Sequence, residues 1–251
     1  MMKFLKNSIS MYRAASLLER SPYRRQLADV PARLFHYWQD NAHHEFKGIP
    51  SDAFFFTNAS EGLMCFFDCA HVSERPCGLP SMAADSVWHA WLAFDPVGLE
   101  RFCKRHFGRT IAHTPADEMA VPMPEALAHT LVRARSREGQ MRAGASLPRL
   151  FTLDQRVRMP GGYAYQLACG LIGYQMIGLS GTPGGNVIYP GSLESDQLLM
   201  AGLITQAEFD EQVARAQHGS DGSFDLSSSF GDSAGDGGGG GCGGGCGGGC
   251  G

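Results

Sequence analysis

The sequence has no C-x-x-C pair, no H-x-x-x-H spacing, no P-loop and no dinucleotide-binding fingerprint. Gly181-Thr-Pro-Gly184-Gly185 lacks both the Gly-Lys-Ser/Thr and the third glycine that phosphate cradles need, so it reads as a turn. Gly178-Leu-Ser180-Gly181-Thr182 lacks the spacing of a nucleophile elbow. No catalytic residue is therefore assigned from motif alone. An uninterrupted apolar run is also missing. Gly162 to Leu179 is the nearest approach, but Gln166, Gln175 and four glycines weaken it, and no transmembrane helix is expected. The N-terminal segment has no continuous apolar core of the secretory kind. Its six bases and one acid before residue 26 fit a presequence or a basic amphipathic helix, and we read it as the first helix of the folded body. Without an export signal, the eight cysteines point to reduced thiols and a cytoplasmic protein.

What is present is unevenly distributed. Residues 235–251 hold 13 glycines in 17 positions, leaving 20 glycines for the other 234 residues. Glycine excess thus belongs to the tail, and the body has the composition of a folded domain. Charge divides in the same way. From Glu194 onward nine acids face Arg215 alone, giving −8; residues 1–193 carry 20 bases and 16 acids, giving +4, and the sum is the −4 of the whole chain. The densest basic run, Arg133, Arg135, Arg137, Arg142, Arg149, Arg156 and Arg158, has no aromatic interleaving of the kind that single-strand binding uses. Nucleic-acid binding is therefore disfavoured, and a solvated helix face and loop is expected.

The fold class is mainly α. Helical patterning over 1–46 is broken at Ser21-Pro22 and Pro31. Asn58 or Ser60 is the expected cap of a helix carrying Leu63, Met64, Phe66, Phe67 and Cys69, ending near Arg75-Pro76. Ser81 caps a helix to about Phe94. Asp95-Pro96 opens the next, because an aspartate accepts orphan amides and a first-turn proline needs no donor. Leu99, Phe102, Cys103 and Phe107 form its apolar stripe, with Gly108 as the stop. Thr114-Pro115 with Asp117 predicts one more start, and Pro124 to Arg137 another helix. Four segments follow: a helical domain over 1–143, a glycine-punctuated apolar lobe of irregular or short-strand structure over 144–192, a helical hairpin over 193–218 and a disordered tail over 219–251. Thr205-Gln-Ala-Glu208 is a capping box within the hairpin. Cys65, Cys69, Cys77, Cys103 and Cys169 sit among apolar residues, as buried thiols do.

The candidate site lies in the hairpin around Asp95-Pro96. Asp85 and His89 are i, i+4 and share a helix face. A chain reversal at Asp95 brings His89 level with Phe102 and Cys103, Asp85 level with His106, and returns His113 to the Asp85 end. Asp85, His89, Cys103 and His113 are then one carboxylate, two imidazoles and a thiol, a donor set suited to zinc. The alternative is a structural polar cluster, in which the histidines donate to carboxylates or carbonyls and Trp88, Trp91 and Phe102 line the core. An enzyme requires an open pocket beside those side chains, whereas a scaffold fills that space with the aromatic rings.

Pro80-Ser81, Asp85-x-x-Trp88-His89, Phe102-Cys103, Gly108-Arg109 and His113-x-Pro115 together resemble the bacterial branch of the glycine-rich domain-containing protein-like family. Leu147-Pro148-x-Leu150-Phe151-x-x-Asp154 and Pro160-Gly161-Gly162-x-x-Tyr165 extend that resemblance, as does a Gly-rich tail with spaced cysteines. It implies a mostly helical domain and carries no established biochemical activity. Leu198-x-x-Ala-Gly202-Leu-Ile-Thr205-x-x-Glu208-Phe209 resembles the short C-terminal hairpin module known as SHOCT.

In the tail, Cys242, Cys246 and Cys250 recur every four residues in polyglycine. Such a segment is a flexible low-complexity end, a catcher of soft metal ions or a protein partner, or a substrate for cysteine cyclisation. The expected role of the whole chain is a non-enzymatic binding or scaffold module. The alternatives are a zinc-dependent enzyme using Asp85, His89 and His113, or a modification substrate at the tail thiols.

Overall fold

Helices dominate from the first residues onward. A computed structural model of the chain describes residues 2–140, 146–168 and 171–218. Three helices, α1 (Met2–Arg20), α2 (Arg24–Ala28) and α3 (Ala32–Glu45), are separated at the two proline breaks. A long central helix follows, α4 (Ala53–His71), and then the pair α5 (Met82–Phe94) and α6 (Pro96–Phe107). After α7 (Met123–Arg137) and the short α8 (Leu153–Val157) come three strands, β1 (Tyr163–Ala168), β2 (Leu171–Ile177) and β3 (Pro183–Ile188). They form an antiparallel sheet in sequence order, with Tyr165 opposite Tyr174 and a bulge in β2 between Tyr174 and Met176. The helices α9 (Ser195–Met200) and α10 (Gln206–His218) close the described chain. No helix among the described residues is long and apolar enough to cross a membrane.

The central helix begins earlier than its sequence suggests. Asp52 is its cap, with Oδ1 accepting from the Phe54 and Phe55 amides at 2.9 and 3.1 Å. Asn58 and Ser60 lie inside the helix and are buried, and Asn58 Nδ2 donates back to the Phe54 carbonyl at 2.8 Å. The helix also ends at His71, short of Arg75-Pro76. Nearly all of it is buried because α1, α5 and α7 pack around it. Trp38 of α3 is wholly buried against Phe55 and Phe56, and its indole N–H donates to Ser86 Oγ at 3.1 Å.

The start signal at Thr114-Pro115 does not open a helix. Glu118 N bonds the Pro115 carbonyl in a single turn, and the chain runs irregularly to Pro122. A proline five residues beyond Asp117 removes the donor a second turn needs and forces its predecessor out of helical geometry. In contrast, the Thr205–Glu208 capping box forms, with the Glu208 carboxylate accepting from the Thr205 amide at 2.7 Å.

The segments 1–143, 144–192 and 193–218 do not pack separately. Leu150, Leu153 and Met159 belong to the same core as Trp38, Phe67 and Trp91. A second core joins Leu127 and Leu131 of α7 to Tyr165, Ile172, Leu193 and Leu198. The expected lobe therefore shares its interior with the helical segments.

One buried carboxylate fastens the two layers. Asp154 in α8 is 1 % exposed and accepts from Ser81 Oγ (2.6 Å), the Met82 and Ala83 amides (2.9 and 3.0 Å) and the Tyr163 amide (3.0 Å). It thus holds the first turn of α5 and the first residue of β1 together. Burial pushes its pKa up, and the four hydrogen bonds act the other way by holding the ion. The approach requires glycine at position 162, where a Cβ would sit 2.5 Å from Asp154 Oδ2.

Candidate metal centre

The residues on α5 owe their placement to two caps. At its start, Ser81 Oγ accepts from the Ala84 amide at 3.2 Å, so the helix begins one residue later and Asp85 falls in its first turn. At its end the chain breaks at Asp95, whose side chain caps α6 by accepting from the Gly98 amide at 2.8 Å. Gly108 then takes a left-handed conformation (φ 74°) and stops α6. Residues 109–114 run back toward α5. Ile111 packs on the main core, and His113 arrives over Trp88 with ring centroids 4.5 Å apart.

This return brings three donor groups together. His89 Nε2 and His113 Nε2 are 3.0 Å apart, His113 Nε2 is 3.1 Å from Asp85 Oδ1, and His89 Nε2 is 3.6 Å from Asp85 Oδ2. Asp85, His89 and His113 are all half-buried, and each offers one atom within 4.8 Å of the others. On the far side of its ring, His89 Nδ1 lies 2.7 Å from Glu45 Oε1 at the end of α3. That carboxylate accepts the Nδ1 proton, so neutral His89 turns a bare Nε2 lone pair toward the cluster. A single proton on His113 Nε2 then has two acceptors at 3.0 and 3.1 Å.

Cys103 is not a member. It is 1 % exposed in the core, and burial pushes its thiol up to about 11. It makes a hydrogen bond with the Ile111 backbone, and so holds the returning loop two residues before His113. His106 also points elsewhere: its Nε2 is 2.9 Å from Asp29 Oδ2, because it lies off the buried stripe of α6. Level pairing across the hairpin is seen only near the turn, where Trp91 meets Phe102 at 4.7 Å. Trp88, Trp91 and Phe102 are buried, as expected for core-lining rings. Glu45 has no signature in the sequence, since nothing in His43-His44-Glu45 indicates a partner 44 positions away. The tail thiols Cys242, Cys246 and Cys250, together with Cys169, lie outside the described residues.

A cleft of about 1020 Å³ opens beside the cluster, lined by Asp85, Trp88 and His113. The sheet also lines it through Tyr163, Tyr165 and Tyr174, whose ring centroids lie 5.3 to 6.1 Å apart. Burial raises the Tyr163 phenol, and the charges of Tyr174, Asp154 and Asp85 add to the shift. Arg109, on the returning loop, faces the same cleft and forms no ion pair among the described residues. The aromatic rings of α5 thus fill the core beneath the cluster and leave its other side open.

Residues 56–180 match the model of the UCP032817-like family. No curated protein and no solved structure matches the chain. The matched stretch runs from α4 to just past β2, so it contains Asp85, His89, His113 and Asp154 but not Glu45.

Proposed function

We propose that the protein is a metal-binding module in which Asp85, His89 and His113 ligate a divalent transition ion of the zinc type. The observation that carries this reading is the convergence of three donors at 3.0 to 3.6 Å with Glu45 behind His89. Ligands about 2.0–2.2 Å from a tetrahedral ion stand roughly 3.3–3.6 Å from one another, within the range of these separations. A carboxylate behind a ligating histidine fixes its tautomer and raises its basicity, the usual outer partner of such a ligand. With three protein ligands, a tetrahedral ion would keep a fourth position, and the cleft beside Asp85 and His113 would give a small polar ligand access to it.

A zinc-dependent enzyme on the same ligands is the second reading, favoured by the open cleft itself. An ion with a free position lowers the pKa of bound water and delivers a nucleophile near neutrality. The buried free thiols Cys65, Cys69 and Cys103 fit a reducing compartment, and we place the protein in the cytoplasm. The resemblance to the bacterial glycine-rich domain-containing protein-like family supports a helical host for the site without naming its ligand.

Elemental analysis of the full chain after equilibration with zinc and desalting is the test. Equimolar zinc in the wild type, lost in His89→Ala and His113→Ala, is the expected result. Substoichiometric zinc that His89→Ala leaves unchanged removes the metal reading.

A further inference from the structure

The basic run is largely solvent-exposed, at Arg133, Arg137, Arg149, Arg156 and Arg158. Arg135 is 3 % exposed, while Arg137, Arg149 and Arg156 converge with Arg20 on a second pocket of about 760 Å³. It is bounded by the end of α1, the middle of α4, the end of α7 and α8. Its charged groups differ in how they are engaged. Asp68 accepts from Arg137 at 3.0 Å and from the Tyr23 hydroxyl at 3.2 Å, and Glu138 accepts from the Arg149 amide at 2.9 Å. Glu61 is 7 % exposed, lines the pocket, and its Oε1 has no hydrogen-bond partner among the described residues. Gln140 Oε1, which also lines the pocket, is a second buried acceptor without a donor among the described residues. The guanidinium groups of Arg20, Arg149 and Arg156 form no ion pair among the described residues, although Arg156 is drawn electrostatically to Glu61 and Glu138, and Arg149 to Glu138.

A buried carboxylate oxygen with no donor is costly to a native structure and calls for a partner. An anion alone would leave Glu61 and Gln140 without donors and would face the Glu61 charge. A cation alone would meet three unpaired guanidinium groups. Only a ligand with both signs answers both sets, and its anionic part must outweigh its cationic one. We propose that this pocket binds an α-amino acid with an acidic side chain, its ammonium on Glu61 and Gln140 and its carboxylates on Arg149 and Arg156. The ammonium supplies N–H donors to two orphaned acceptors. The planar guanidinium forks suit carboxylates. This site is independent of the metal centre.

Isothermal titration of the full chain with L-glutamate, glutarate, cadaverine and inorganic phosphate tests it. L-glutamate should bind with a Kd below ~1 mM, and the three probes lacking one charge sign about tenfold or more weakly. Glu61→Gln should weaken L-glutamate about tenfold, and Arg149→Gln, whose side chain is exposed, should weaken it with the fold intact. If Glu61→Gln fails to fold, Arg149→Gln decides. Phosphate or glutarate binding as tightly as L-glutamate overturns the proposal in favour of a plain anion pocket. No heat from L-glutamate at ~10 mM, or an affinity unchanged in the folded variants, overturns it outright.

Discussion

His89 and His113 face each other through their Nε2 atoms at 3.0 Å, across 24 residues and a complete helix. The contact depends on a chain break at Asp95, a left-handed residue at Gly108 and a loop seated on the core by Ile111. Each supporting element leads to a measurable expectation.

Glu45 acts through His89. Replacing it by glutamine keeps a hydrogen-bonding oxygen but removes the charge that sets the imidazole tautomer. Glu45→Gln should still take up equimolar zinc at saturation, with affinity lowered about 10–100-fold in competition with a chromogenic chelator. An affinity equal to that of the wild type would show that the Glu45 contact is only a surface pairing.

Cys103 separates the four-donor expectation from the three-donor cluster of Asp85, His89 and His113. Cys103→Ala should leave zinc stoichiometry unchanged, whereas Asp85→Ala should lower it sharply. In the native protein the Cys103 thiol, buried and raised to about 11, should resist alkylation at neutral pH. Loss of zinc from Cys103→Ala with normal circular dichroism would return the thiol to the ligand set.

Asp154 is expected to matter for stability rather than for binding. Asp154→Ala leaves the Met82, Ala83 and Tyr163 amides without their acceptor, at a cost of roughly 3 kcal/mol or more. That corresponds to a fall in Tm of about 6–12 °C for a chain of this size. Gly162→Ala should act in the same direction, because its methyl would occupy the carboxylate's place. Thermal melts followed by circular dichroism decide this, and a shift near zero for both variants would contradict the bridging role.

Tyr165 gives a pH expectation. Burial pushes its phenol above the ordinary tyrosine range, and Tyr163 and Tyr174 add to the shift. The folded chain therefore holds this proton more tightly than the unfolded chain. The resulting stabilisation is intact below about pH 10 and is lost as the pH rises through the folded value. Phenolate absorbance from the buried tyrosines should appear together with loss of helical ellipticity in an alkaline titration. Full titration near pH 10 with the ellipticity unchanged would contradict it.

Much of the helical frame is legible in the sequence because its boundaries are local. Asp95-Pro96, Gly108 and Thr205–Glu208 each specify a cap with side chains a few residues apart. The convergence of Asp85, His89 and His113 follows from those caps and helical periodicity. Where local signals compete, the reading goes astray. Asn58 and Ser60 are good caps by composition, but the aromatic run Phe54–Phe56, with Phe55 and Phe56 buried, extends the helix back to Asp52. Thr114-Pro115 starts a turn that Pro122 prevents from propagating. Level pairing along the whole α5–α6 hairpin fails because the α6 stripe turns Cys103 inward and leaves His106 to Asp29. What Glu45, Glu61 and Asp154 do in the fold is not legible for another reason. Their partners are set by how distant elements dock, which no periodicity encodes.

The position of Asp154 also bears on how this chain can be divided. The first turn of α5 is complete only when a carboxylate more than seventy residues downstream has arrived. A fragment ending at residue 140 would carry the histidines but leave the amides at the start of their helix without an acceptor. The helical half is thus not a portable module, and any shortened version that works must extend at least through the first strand.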